Sequence, residues 1–422
     1  MRLAALRKNI FLLISLSILL TYPSSVILHA QATAPHDSSK QIKDSALVSQ
    51  NKKVPQKDLG DVFKKIFRVK PSFEDTLIKK DGVFYFLVLP GVSYSILTGF
   101  KALAATSLSF NLGKTDSANT STVLGLAEYG QNGQLITSVI SSIWSRKNKI
   151  NFLGDWRYYD YASYTYGMGG HSSKGNSDLI FYDYLRISQL AVTQIIPEFM
   201  AGIGYNFDYH WHIRDGSGTP QNDYTQYGRT EKSNSSGLSL NILSDTRRNP
   251  NNPQRGHLTN LAFRQNITFL GSDKNWQSMF LDYRRYFRIP ARSRNVLAIW
   301  NYYWFTLDGI PPYFDLPSTG WDTYSNSGRQ FIQSRYRSTN MMYLETEYRF
   351  TITNNGLLGG LVFANLQSFS EWRTNKFETI APGAGIGIRI KANKHADTNL
   401  VLSYGIGING ARGFLFNLGE TF

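Results

Sequence analysis

From Val83 to the C-terminus, apolar and polar positions alternate with period two, the pattern of strands with unlike faces. In 199–214 the odd positions are Phe199, Ala201, Ile203, Tyr205, Phe207, Tyr209, Trp211 and Ile213. The even ones are Met200, Gly202, Gly204, Asn206, Asp208, His210, His212 and Arg214. Further on, Ala384, Ile386, Ile388 and Ile390 oppose Gly383, Gly385, Gly387, Arg389 and Lys391, and 400–408 repeats the pattern. Strands in soluble sandwiches usually run about 5–6 residues. Longer alternation, repeated along the chain, fits strands that cross a bilayer. Lipid cannot satisfy an open sheet edge, so such a sheet closes into a barrel.

The predicted fold is all-β, a 16-stranded antiparallel transmembrane barrel over 83–422. The strands are read from 98 onward, with 148–157 and 160–168 as separate strands and a long loop at 308–339. Residues 83–96 also alternate. Counting them would break the even number that bacterial single-chain barrels require, so they are read as a lead-in segment. Parity then puts the turn at 249–256 on the periplasmic side and the long loop outside.

Ahead of the barrel the period changes. Leu59, Val62, Phe63, Ile66 and Phe67 mark one face of a short helix near 58–69, suited to lying on the inner membrane surface, plugging the barrel or packing against it. Residues 31–56 are polar without periodicity and read as disordered, so 31–82 forms a periplasmic extension. At the start, Arg2, Arg7 and Lys8 precede an apolar run from Ile10 to Leu20. A small-residue cleavage site follows near Ala30, which makes 1–30 a secretory signal rather than an anchor.

Composition agrees. The chain has 25 Tyr, 26 Phe, 8 Trp and 35 Gly, with charged residues at only 18%. Mean hydropathy is −0.28, too polar for a helical membrane bundle. The absence of Cys removes disulfides, thiolate metal sites and cysteine nucleophiles. The net charge of +15 is scattered rather than clustered, which suits a lumen or an anionic lipid surface and argues against nucleic acid as a partner.

Candidate chemistry is sparse. Asp208, His210 and His212 alternate on the polar face and are weak metal candidates, so no metal and no cofactor is expected. A lipid-modifying barrel needs a nucleophile and a His at the lipid face, opposite to the phase of His210 and His212. The glycine-rich 383–387 is strand, because no helix follows to make a phosphate loop.

One turn is more specific. Asp245, Arg247, Asn249, Pro253 and Gly256 follow an Asp-x-Arg-x-Asn-x-x-x-Pro-x-x-Gly spacing that resembles a turn of the BamA/TamA superfamily of outer-membrane assembly barrels. Asp245 and Arg247 share a face and could pair across that turn. Ser327-Gly328-Arg329-Gln330-Phe331 in the long loop is similar to the family's Arg-Gly-aromatic motif. Glu347-Tyr348-Arg349-Phe350 resembles the strand after it, and the terminal Phe422 resembles the family's assembly signal. Gln330 stands at the family's Gly, and Asn365 where relatives often carry an acid. The run from Lys70 to Phe422 looks like the short, barrel-only members, without POTRA modules, common in Bacteroidetes-type bacteria.

The resemblance implies that the long loop enters the barrel and that Arg329 meets lumen-facing carboxylates. Alternation puts Glu345 and Glu347 on one face of their strand, within its reach. It further implies a non-enzymatic role, insertion or translocation of polypeptides or lipids at the seam between first and last strands. Expected partners are outer-membrane lipid, the machinery that inserts the barrel itself, and unfolded polypeptide cargo. Two other readings stay open: a passive anion-favouring pore, and a barrel-scaffold lipid-modifying enzyme.

Overall fold

A computed structural model describes residues 55–67, 84–95, 99–113, 119–131, 133–216, 223–247, 249–394 and 397–422. The predicted signal segment and most of the periplasmic extension lie outside the described residues. One antiparallel sheet of 16 strands runs in chain order, each strand paired with the next. The strands are β1 (Phe84–Ser95), β2 (Gly99–Phe110), β3 (Ser121–Gly130), β4 (Leu135–Trp144), β5 (Ile150–Thr165), β6 (Asp178–Ile196), β7 (Phe199–Asp215) and β8 (Ser233–Asp245). The second half holds β9 (Gly256–Asn266), β10 (Trp276–Arg288), β11 (Val296–Gly309), β12 (Asn340–Thr351), β13 (Leu358–Phe369), β14 (Ala381–Asn393), β15 (Thr398–Gly407) and β16 (Arg412–Leu418).

Two boundaries differ from the sequence reading, and they cancel in the count. The described part of 83–96 is not a lead-in: Phe84–Ser95 forms β1, in register with β2 from Phe84↔Phe110 to Ser95↔Gly99. Residues 148–168 hold one strand, β5, instead of two. No Gly, Pro or Asn punctuates 157–160, and the alternation there keeps its phase, with Trp156 and Tyr158 outward and Arg157 and Tyr159 buried.

The faces sort by chemistry. Ile203, Leu240, Ile386, Leu402 and Phe414 are exposed on the outside. On the opposite face stand small and polar residues such as Gly202, Gly204, Ser239, Asn241, Gly385, Gly387 and Ser403, with Val401 among the few apolar ones. The connection between β11 and β12, residues 310–339, lies within the curve of the sheet. Its Thr323 carbonyl accepts from Arg157 of β5 at 2.8 Å, its Thr319 hydroxyl donates to Gln367 of β13 at 3.0 Å, and its Asn326 accepts from Asn417 of β16 at 3.2 Å. Strands from β5 to β16 meet one segment, so the sheet curls round it as a wall.

Long connections cluster at one end: 166–177, 216–232, 267–275, 310–339 and 370–380. Helix α1 (Leu59–Phe67) sits at the other end. Asp58 and Asp61 cap its first turn reciprocally, each carboxylate accepting the other's backbone N–H at 2.9 and 3.1 Å. Lys394 in the β14–β15 turn pairs with Asp61 at 2.7 Å, so the helix is fastened to the rim. A second helix, α2 (Asp223–Gly228), lies in the β7–β8 connection.

Candidate functional site

The tip of the 310–339 loop is built by local polar turns. Asp322 accepts the backbone N–H groups of Asn326 at 3.0 Å and Ser327 at 2.7 Å, which reverses the chain. Gly328 follows at φ +67°, and a Cβ there would lie 2.7 Å from the Thr319 methyl. Only glycine fits that conformation and that space. The reversal delivers Arg329 deep into the lumen, 6% exposed.

Arg329 meets the wall of β12. One guanidinium nitrogen bonds both Glu345 and Glu347, the latter at 2.6 Å, and the guanidinium carbon lies 3.9 Å from the centre of the Phe363 ring. Tyr343 donates its hydroxyl to Glu345. The chain of charges continues to the next rung, where Arg349 binds Glu347 at 2.6 Å. Arg349 also lies 3.5 Å from Glu420, which Arg389 of β14 grips at 2.5 Å. Three cations and three carboxylates therefore alternate in one buried string. Each has opposite charge beside it, the condition under which buried charges are tolerated.

The string ties in the C-terminal tail. At Gly419 (φ +98°) the chain turns out of β16 into the lumen. Phe422 packs there 5.3 Å from Trp300, and its carbonyl accepts from Arg349 at 2.8 Å. Its ring is thus buried inside rather than displayed on the lipid face, because the preceding glycine reverses the strand. Asn326 of the loop donates to the Thr421 carbonyl at 2.6 Å.

The two departures at Gln330 and Asn365 meet each other. Their amides exchange bonds of 2.6 and 2.9 Å, and Asn365 also donates to Glu345 at 3.1 Å. Gln330 has room because the wall opposite it is glycine: a Cβ on Gly383 would lie 1.9 Å from its amide nitrogen.

The 245–256 turn is held by its own polar groups. Arg247 binds Asp245 through two parallel bonds of 2.9 and 2.8 Å, and Asn249 accepts the Asn251 N–H at 3.0 Å. Pro253 is buried, and Gly256 at φ +96° brings its backbone against Thr246. The Asn251 carbonyl accepts from Glu420 N–H at 3.1 Å, so the turn touches the tail.

A family model described as the Omp85 superfamily domain matches residues 104–422. The chain belongs to the Omp85 superfamily. It is similar in fold to BamA from Haemophilus ducreyi lacking POTRA domains 1–3, at TM-score 0.51 and 12% identity, over 81% of this chain and 69% of that one. It is also similar to CdiB from Acinetobacter baumannii, at TM-score 0.52 and 10% identity, over 81% of this chain and 60% of that one. A comparison with curated proteins finds no match. As an Omp85 barrel the chain is an outer-membrane protein.

The weak metal candidates of this Omp85 chain are not brought together. Asp208 is held by Arg264 at 2.5 Å, Arg186 at 3.0 Å and the Tyr184 hydroxyl at 2.7 Å. His210 stacks on Tyr184 at 4.4 Å and Phe314 at 5.3 Å. A bulge turns His212 to the outer face, where it pairs with Asp183 at 2.6 Å. Sequence reasoning missed the extension through Arg349, Arg389 and Glu420. Arg349 shares the phase of Glu345 and Glu347, and that was its available signal.

Proposed function

We propose that this Omp85 barrel inserts or translocates polypeptide, or lipid, at the outer membrane, and that the long-loop end faces outward. The carrying observation is the seating of Arg329 between Glu345 and Glu347, which fixes the loop inside the lumen. Two features of the sheet support a working seam. β16 has 7 residues against 12 in β1, so the terminal edges are unequal. Gly410, Gly413 and Gly419 further lower strand propensity there. An edge left under-paired is a template for an incoming strand.

The likeness in fold to BamA and CdiB fits this reading without fixing the cargo. In the pore reading, a basic lumen would attract anions, yet the lumen cations described above are neutralised in pairs. In the lipid-modifying reading, His210 would need a partner nucleophile, and it stacks instead between aromatic rings.

Reconstitution tests the proposal. The barrel in liposomes should raise the folding rate of an added urea-denatured outer-membrane barrel, and Arg329→Ala should abolish the gain. A steady anion-selective current in planar bilayers, with no effect on folding rate, would favour the pore and sink the insertion reading.

A further inference from the structure

The outer face of β5–β7 changes character toward the long-loop end. These three strands have 16, 19 and 17 residues. About 9–11 tilted residues cross a bilayer, so the upper part of each stands clear of the hydrocarbon. Their register gives outward rows. Trp156, Ile187 and Phe207 form an apolar row, and Tyr158, Leu185 and Tyr209 lie above it. Asp160, Asp183 and Trp211 make the next row, at headgroup level.

Three features of that top row are not explained by an aromatic belt alone. Asp160 and Asp183 are direct cross-strand partners, and like charges so placed destabilise a sheet, with His212 bonded to Asp183 alone. Next to them a bulge sets two residues, His212 and Ile213, against Tyr182 alone, with His212 at φ +50°. Bulges and left-handed non-glycine residues re-aim side chains at functional sites. Finally, the surface is concave: a cavity of about 760 Å³ opens between these strands and the 231–232 segment.

The lining combines aromatic rings with carboxylates and cations. Tyr209 and Trp211 stack nearly parallel, 5.0 Å apart at 14°, and Tyr158 lies 6.2 Å from Trp211. Arg214 lies 5.0 Å from the centre of the Phe181 ring, and Lys232 and Glu231 are both exposed at the rim. Flat aromatic faces take the C–H face of a sugar ring, paired carboxylates accept vicinal hydroxyls, and cations donate to its oxygens. We propose that this cavity binds a saccharide, with Trp211 and Tyr209 as the platform, Asp160 and Asp183 as hydroxyl acceptors, and Arg214 and Lys232 as donors. The same chemistry is offered by the headgroup of an outer-leaflet glycolipid and by a free surface glycan.

The test uses the full barrel in nanodiscs and titrates lipopolysaccharide core oligosaccharide released by mild acid, read by tryptophan fluorescence and calorimetry. Intact lipopolysaccharide in the nanodisc is the second arm. The expected result is saturable binding, about ten-fold weaker in Trp211→Ala, as for loss of a central aromatic contact. Asp160→Asn/Asp183→Asn should weaken it similarly. It relieves a like-charge contact and leaves an amide at 183 that can still bond His212, so it guards against a folding failure in the first variant. Trp156→Ala, in the apolar row below, should bind as the parent does. Heat-shifted gel migration verifies folding of each variant. Binding of free oligosaccharide points to a soluble glycan, and competition only from the embedded lipid points to the headgroup; either supports the site. No saturable binding in either arm, or equal weakening by Trp156→Ala, overturns it.

Discussion

The 310–339 loop is fastened at two places, and the two fastenings use different physics. At its tip, Arg329 sits among Glu345, Glu347 and Arg349, side chains all 1% exposed or less. At its root, rings do the holding. Phe314 lies 4.4 Å from Tyr182, and Tyr313 lies 4.5 Å from Tyr224 of α2. Arg337 caps Tyr313 at 4.7 Å from its ring centre. Charges in a dry lumen are conditional on one another: each is tolerable only while its partners stay. Ring contacts are graded, and losing one leaves the others in place. The tip therefore specifies one loop position, whereas the root tolerates adjustment.

The sharpest break in that contrast is Arg329→Ala. It strands Glu345 and Glu347 in a buried site with only Arg349 nearby, a loss of about 3–5 kcal/mol. Urea unfolding in detergent micelles measures it. Removing Arg329 and Glu345 together, as Arg329→Met/Glu345→Gln, leaves Arg349 and Arg389 facing Glu347 and Glu420. The double variant should therefore be less damaged than the single one. Equal damage would show that packing, not charge pairing, holds the tip.

At the root, Phe314→Ala removes one buried ring. The expected loss is about 3 kcal/mol, at the lower end for such truncations because the site lies at the rim and can collapse. Gly328→Ala tests the tip without touching charge. It places a side chain at φ +67° against Thr319, at a cost of roughly 1–3 kcal/mol of strain. Limited proteolysis should cut the 310–339 loop faster in this variant than in the parent.

Much of this was legible in the sequence where one rule governs each residue. Alternation puts Glu345 and Glu347 on one face of their strand, and the spacing of Asp245 and Arg247 leaves them able to pair. Two kinds of information were not local. The alternation of 84–95 is legible, and only the even-number rule sets it aside, because 148–168 is counted as two strands; the true count depends on which strands pair, and pairing is not local. The reach of Glu420 into the lumen depends on a reversal at Gly419, which reads in sequence as a weak strand residue. Gln330 looked like a defect in a motif. Its compensation lies in Asn365 and Gly383, on two other strands.

A change of pH separates the fastenings without touching the tip. Asp315 belongs to the root, buried, and accepts the Ser235 hydroxyl at 2.6 Å. Burial, with Asp208 close by, pushes its carboxyl up to about 7, although Arg264 and Arg186 nearby oppose the rise. An unfolded Asp titrates near 3.9. Below that value both states hold the proton and the residue makes no difference. As pH rises, the unfolded chain ionises first, so the folded root loses stability progressively until about pH 7 and then levels off. Protease nicking at 310–339 should therefore be slower at pH 5 than at pH 8, and Asp315→Asn should flatten that difference. If nicking instead quickens toward pH 5, the carboxyl is not held protonated, and the root is ionic like the tip.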